Sequence, residues 1–271
     1  MMRSLWTAAS GMKSQQLYVD SIANNIANVN TAGFKKDVME FRSLFYETLS
    51  PAFIDENGIG KPVGVQIGHG VRVGANYKDF SQGSLDVTNN PLDFSLEGNG
   101  FFMVEDVNGD TMFTKQGGFK ISIVDDQLRL VTSDGYSILS TEGDPIDFDS
   151  GFLATKLTID SLGNMSYINP DQTISDLGYQ LGIVQFKNPA GLSSMGGAFY
   201  KETSASGGPI YEAENDELQK TLTAQGSIEA SNVQVVEEMV KMIVAQRAYE
   251  MNSKSIQTSD DMLALVNQLK R

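Results

Sequence analysis

Apolar residues recur every seven positions near both ends of the chain. At the start these are Leu5, Met12, Val19 and Ile26, with Ala8, Ile22 and Val29 three residues after members of the series. At the end they are Val235, Met242, Tyr249, Ile256 and Leu263, with Ala245 and Val266 again three residues on. A seven-residue repeat lays a narrow apolar seam along one side of an α-helix, the surface that coiled coils bury. The first helix is expected to run from Ser4 as N-cap to the cluster Asn28 to Gly33, where Asn30 and Gly33 tolerate positive φ. The second is expected to start at Ser227 or Ser231 and run almost to Arg271, since no Gly or Pro follows Gly226. Gln15, Asn252 and Ser259 are polar at seam positions, whereas a helix laid on its own domain shows a broader apolar face. A polar seam residue fixes register between partner helices. The pattern therefore favours self-assembly over a hairpin packed on the chain's own β domain.

Between the ends the period changes. In DVMEFRSLFYETL, Val38, Phe41, Phe45 and Leu49 fit either a short helix or an extended apolar strip, and spacing does not decide. From about Ser50 to Asn76, Pro51, Pro62 and the glycines at 58, 60, 64, 68, 70 and 74 predict an extended arm or long loop with one strand in VQIGHGVRVG. Phe53 and Ile54 are its candidate anchors in a neighbour's groove. Farther on, LDFSL, FFMVE, TMFTK, FKISIV and LRLVT are separated by EGNG, VNGD, QGG and DD, and SDG precedes YSIL; Asn-Gly and Asp-Gly are strong hairpin signals. KLTID and MSYI flank SLGN, and YQLGIVQF is a further strand. The expected fold is α+β: long N- and C-terminal α-helices forming a coiled-coil layer, an extended linker arm and a central antiparallel β domain. The expected segments are 1–30 (N-terminal helix), 31–92 (linker and arm), 93–211 (β domain) and 212–271 (connector and C-terminal helix).

Composition narrows the function. The chain has 271 residues, 41% of them hydrophobic, which is enough for an ordinary core. It contains no cysteine, so disulfides, zinc-thiolate sites and thiol nucleophiles are excluded. The net charge of −14 argues against nucleic acid and anionic membranes. No run of about 18 apolar residues predicts a membrane-spanning helix. The opening MMRSLWTAASGMKSQQ also lacks the apolar block of a secretory signal, so export, if it occurs, is expected by another route.

Candidate chemistry is sparse. His69 is the single histidine, and a metal or Ser/His site needs distant groups to converge on it. Gly60-Lys61 has Asp55 and Pro62 where a phosphate-binding loop needs Gly and Ser or Thr, and Gly68, Gly70 and Gly74 miss the dinucleotide spacing. Asp144, Asp147 and Asp149 lack the terminal Glu of a calcium loop and read as a solvated turn. The pairs Glu237-Glu238 and Asp260-Asp261 occupy neighbouring helix positions that do not face each other, so they read as helix surface.

The run ANNIANVNTAGFKK, Ala23 to Lys36, which holds Asn24, Asn25, Asn28, Asn30, Thr31, Gly33 and Phe34, resembles the signature of bacterial flagellar basal-body rod and hook subunits. So does SNVQVVEEMVKMIVAQRAYEMNSKSIQTSDDML, Ser231 to Leu263. The opening MMRSLWTAASGM is most similar to the distal rod members. Similarity continues through QGSLDVTNNPLDFSLEGNGFFMVE, LVTSDGYSIL and NPAGLSSMGGAFYKETSASG, covering essentially the whole chain in family order.

The resemblance implies a structural subunit, without catalysis or cofactor, that self-assembles into a rigid hollow helical shaft passing motor torque to the hook. The terminal helices would form its inner layer, the segment after the Asn-rich motif would lead outward, and the β domain would form the outer layer. Implied partners are further copies of the chain, proximal rod and hook subunits, surrounding ring proteins and the flagellar type III export apparatus. That apparatus would deliver the subunit to the periplasmic rod of the basal body. No nucleic acid and no direct membrane insertion are implied. One departure lies at Tyr46 to Gln66, where distal rod proteins carry a segment rich in Gln, Ser and other polar residues and this chain has Pro51, Phe53, Ile54 and Pro62. A proximal rod or hook subunit is the alternative within the family, disfavoured by the opening sequence. A secreted enzyme or adhesin on a coiled-coil stalk is the alternative of another class, and it predicts a convergent polar pocket in the β domain.

Overall fold

The structure, a computed structural model, describes residues 2–54, 60–61, 63–124, 127–149, 152–169, 173–215 and 218–269. It divides into two units, one comprising Met1–Ala27, Asp37–Tyr77 and Gln234–Arg271, the other Asn28–Lys36 and Lys78–Val233. Two long helices and an antiparallel β-rich middle make the fold α+β.

In the first unit, helix α1 spans Met2–Ala27 and helix α2 spans Val235–Leu269. Ser4 lies inside the first turn of α1 rather than capping it. Helix α2 begins later than either serine because Ser227–Glu229 is held in a ladder with Leu85–Val87 and Asn232, next to Ser231, is tied to the Lys36 N–H and the Asp79 carbonyl. Glu237 and Glu238 supply negative charge to the first turn of α2, where the helix dipole favours it.

The segment after residue 36 is neither a short helix nor a loop with one strand. Asp37–Ser43 pairs with Val71–Lys78, Tyr46–Ser50 with Val65–Gly68, and Phe53–Ile54 with Gly60–Lys61, so three nested pairings make one two-stranded ribbon. The ribbon runs back along α1. Asn25 Nδ2 donates to the Asp37 carbonyl at 3.0 Å, and Asn25 Oδ1 accepts from the Asp37 N–H at 2.8 Å. One step on, Tyr18 and Phe41 meet edge to face at 5.4 Å, and then Val71 N–H donates to Ser10 Oγ at 3.3 Å. Gly70, at φ +113°, passes too close to Ser10 for any side chain. Finally Arg3 pairs with Glu47 at 2.8 Å. The side chains of Phe53 and Ile54, and residues 55–59, lie outside the described part.

The second unit is built on a ten-stranded sheet whose centre is Phe101–Glu105. That strand is buried on both faces, which is why FFMV is a continuous apolar run and not an alternating one. Phe102 and Val104 enter the larger core cluster with Phe94, Leu96, Phe119 and Leu130; Phe101 and Met103 enter a second with Phe113, Val184 and Tyr200. The hairpin from Phe101–Glu105 to Thr111–Thr114 turns at Asn108-Gly109, with Gly109 at φ +82°. A three-stranded sheet, Leu157–Ile159, Asn164–Ile168 and Ile174–Gln180, stands beside it in sequence. YQLGIVQF is therefore two strands, Ile174–Gln180 and Ile183–Gln185, in different sheets. Leu222–Gln225, far along the chain, closes on Phe94–Glu97.

Candidate functional site

The two helices meet along a seam of small and polar residues. Ser4 and Ser259 share a hydroxyl hydrogen bond at 3.2 Å, and Asn25 Nδ2 donates to Glu238 Oε2 at 3.1 Å. Between them, a Cβ on Gly11 would come within 2.7 Å of Asn252. These contacts step by seven or fourteen residues in opposite directions along α1 and α2, which fixes an antiparallel register. Ala8, Gly11, Ser14, Ile22 and Asn25 on one side, and Glu238, Ala245 and Ser259 on the other, are the buried positions. Glu238 is thus a seam residue and not helix surface, and Lys241 holds its other carboxylate oxygen at 2.8 Å. Side chains this small let the helices approach closely but bury little apolar area, so the pair gains modest hydrophobic stabilisation.

The larger apolar residues stand outside the seam. Of the seven-residue series, Leu5, Met12, Val19, Ile26, Met242, Ile256 and Leu263 are half-buried on its flanks, Val235 and Tyr249 are exposed, and Ala8, Ile22 and Ala245 are fully inside; Val29 is half-buried in the turn beyond the end of α1, in the second unit. Val19 and Tyr249 line an open cleft of about 350 Å³ with Gln16, Gln246 and Glu250. More apolar surface lies where the heptad count does not look. Val236, Met239, Val240, Ile243, Val244 and Met251 form a stripe along α2 that α1 leaves open, and Trp6 is 74% exposed on α1. Their spacing of three, four and seven residues carries the signal of a second helical face.

The Asn-rich motif serves the backbone on both sides of a unit boundary. In the first unit Asn24 donates to Asp37 Oδ2 at 3.0 Å and Asn25 bridges Asp37 and Glu238. In the second, Thr31 Oγ1 donates to Asn28 Oδ1 at 3.2 Å, and Phe34 is buried with the Lys78 ammonium 4.5 Å from its ring centre. Gly33 has φ +68°, and a Cβ there would strike the Gln116 backbone at 2.7 Å. Asn30 is exposed, and it is not among the residues with positive φ.

A charge cluster missed by sequence reading follows directly after this motif. Lys35 and Glu229, each side chain 1% exposed, pair at 2.7 Å, and Lys35 Nζ also donates to the Ser81 carbonyl at 2.8 Å. Glu229 Oε1 takes a further hydrogen bond from Gly83 N–H at 2.8 Å. Asn232 then accepts from Lys36 N–H at 2.8 Å and donates to the Asp79 carbonyl at 2.8 Å. Residues 33–36, 79–83 and 229–232 are thereby clasped together. Two adjacent lysines carry no sequence signal of burial, because the partner of Lys35 is 194 residues away.

Lys115 belongs to the same region. It donates to the Gly98 carbonyl at 2.8 Å, and burial, reinforced by the charge of Lys35, pushes its pKa down to about 8 against the opposing pull of Glu229 and Glu212. Between about pH 8 and 10.5 the unfolded chain holds a proton that the folded chain has released, so stability rises with pH across that window. Below it the whole cost of burying the ammonium is present. Relative to the parent, Lys115→Met should therefore be most favoured at pH 7 and should lose on the order of 3 kcal/mol of that relative stability towards pH 10.5. Calorimetric melting of both proteins at pH 7, 9 and 10.5 checks it; a constant difference would contradict it.

The remaining candidates hold no constellation. His69 Nε2 lies 3.6 Å from the Glu47 carboxylate that Arg3 already binds. Asp147 forms a two-pronged pair with Arg129 at 2.6 and 2.8 Å, while Asp144 and Asp149 are exposed. Among the described residues no group of three His, Asp or Glu side chains is placed to hold a metal ion. A cavity of about 50 Å³ in the β unit is lined by Glu212, Thr221 and Lys220, but Glu212 is committed to Thr221 and Gln185. No described helix is long and apolar enough to cross a membrane.

Comparison with known proteins bears on this arrangement. Residues 5–35 match the family described as flagella basal body rod protein, residues 95–167 the flagellar hook protein FlgE/F/G D1 domain, and residues 224–269 the flagellar basal body rod FlgEFG protein C-terminal family. The chain is 46% identical to the flagellar basal-body rod protein FlgG of Borreliella burgdorferi over 274 residues, covering 100% of both. It is 39% identical to the protein of the same name from Caulobacter vibrioides, covering 99% of this chain and 100% of that one. For the Bacillus subtilis protein of that name the identity is 36%, covering 100% of both.

Proposed function

Because the chain belongs to the FlgG family of flagellar basal-body rod proteins, and is a structural subunit of the flagellar distal rod in the basal body, we propose that its copies pack through the open helix faces of the first unit into a hollow helical tube that transmits torque. One observation carries this. The α1–α2 contact is small and polar, while the apolar stripe Val236 to Met251 is left without a partner in the single chain. A helix that keeps its larger apolar residues outside its own hairpin gains most by burying them against other helices.

In this reading the half-buried flank residues Leu5, Met12, Val19, Ile26, Met242, Ile256 and Leu263, with Val235 and Tyr249, form the edges of a coiled-coil layer, Ile22 holds the two helices of one copy together, and Val29 follows the end of α1. The open cleft at Val19 and Tyr249 receives a neighbour's apolar side chain. Proximal rod and hook subunits continue the tube at its ends, ring proteins surround it, and the type III export apparatus supplies the subunits. The role is mechanical, with no catalytic step. Electron microscopy of the concentrated purified protein tests this: straight tubes support it, and discrete particles at every concentration would overturn it.

The ribbon is the proposed stiffening arm. Its strands lie along α1 up to Glu47, and in this reading the part beyond, which carries Phe53 and Ile54, engages another copy. Replacing residues 51–64 with a two-residue Asn-Gly turn keeps the Tyr46–Ser50 pairing and should still allow tubes, but curved or bendable ones. Filament curvature in electron micrographs is the readout, and variant tubes as straight as the parent would remove the arm from the stiffness mechanism.

A further inference from the structure

The charge of the chain is divided very unevenly between its two units. The first contains ten Lys and Arg against eleven Asp and Glu, a net −1; the second contains ten against twenty-three, a net −13 of the −14 total. In the second unit five of these ten basic residues are also spent internally. Lys35 and Lys115 are buried, and Lys36, Arg129 and Lys201 are paired with Asp79, Asp147 and Asp110. Exposed carboxylates such as Asp134, Glu142, Asp144, Glu202 and Glu214 outnumber the exposed Lys120, Lys187 and Lys220. In the first unit, by contrast, Arg3 pairs with Glu47, Lys241 with Glu237 and Glu238, and Arg247 with Glu250, leaving the unit close to neutral.

From this division we infer that assembly is set by two opposed surfaces, the near-neutral apolar face of the helix unit drawing copies together and the acidic β unit of each copy repelling that of the next. The inference rests on the tube reading above and adds an ionic control to it. Repulsion between like-charged bodies reaches about 30 Å at 0.01 M salt, about 8 Å at 0.15 M and about 3 Å at 1 M. Apolar burial has no such dependence on screening. Dilute salt should therefore hold the subunit as a soluble monomer, and moderate salt should release the attraction between helix faces. The β unit then acts as a solubilising brake while subunits are free.

The test is the critical concentration for tube formation, measured by sedimentation and electron microscopy in 0.01, 0.05, 0.15 and 0.5 M NaCl. We expect it to fall about tenfold or more between 0.01 and 0.15 M. The quadruple variant Asp134→Asn, Glu142→Gln, Asp144→Asn and Glu202→Gln should assemble at lower salt with a clearly shallower dependence, its monomer melting unchanged. Magnesium chloride at matched ionic strength should act like NaCl. Tubes whose critical concentration ignores salt, a variant with the parent's salt dependence, or assembly triggered by micromolar magnesium but not by NaCl would each overturn the inference and leave the tube reading standing. Absence of tubes at every salt concentration would instead overturn the tube reading and this inference with it.

Discussion

Ile243→Asp should abolish tube formation while leaving the monomer folded. Ile243 is 55% exposed and lies in the middle of the α2 stripe, with Val240 and Val244 beside it. In the single chain an Asp there stays in water and costs little beyond helix propensity. In a dry interface between copies an unpaired carboxylate costs on the order of 4 kcal/mol or more. That corresponds to roughly a thousandfold rise in the critical concentration. Sedimentation of tubes against circular dichroism of the monomer separates the two effects. Normal tubes, or a monomer that loses its helices, would remove the stripe from the assembly.

Lys35→Met should strongly destabilise the β unit. It leaves Glu229 buried and charged without its partner, and breaking a buried ion pair from one side costs about 3–5 kcal/mol. The Ser81 carbonyl also loses its donor. The double variant Lys35→Met with Glu229→Leu removes both charges and should recover most of that loss, because the isolated carboxylate is the main penalty. Gly83 N–H loses its acceptor in the double variant, so recovery should be incomplete. Urea unfolding of the three proteins measures this. Equal destabilisation by the single and double changes would mean that the clasp is held by its backbone bonds and not by the charge pair.

The features legible in the sequence are those whose signal is local. Helix periodicity located both termini, and Asn108-Gly109 marked the hairpin that places Phe101–Glu105 at the centre of the sheet. Asn252 and Ser259, polar on an apolar repeat, argue in the sequence for partner helices from other copies, whereas in the single chain Ser259 bonds Ser4 and Asn252 faces Gly11 across the chain's own helix pair. Features that depend on distant partners were not legible. The glycines and prolines between Ser50 and Asn76 suggested a loop because their pairing runs across the ribbon, with Tyr46 opposite Gly68 and Glu47 opposite Ile67. Ser227–Glu229 looked like the approach to a helix because its ladder partner, Leu85–Val87, lies far back in the chain. The polar part of the contact within one chain was also illegible, since Gly11, Ser14, Asn25 and Glu238 join Ala8, Ile22 and Ala245 there through small size or hydrogen bonds that carry no hydropathy.

The central claim is that the surface left open on the helix pair is buried between copies. A helical reconstruction of assembled tubes, at a resolution that shows side chains, tests it most directly. The account predicts that Val236, Met239, Val240, Ile243, Val244 and Met251 pack against helices of neighbouring copies. Tubes in which this stripe faces solvent, with the copies held together only through their β units, would contradict it.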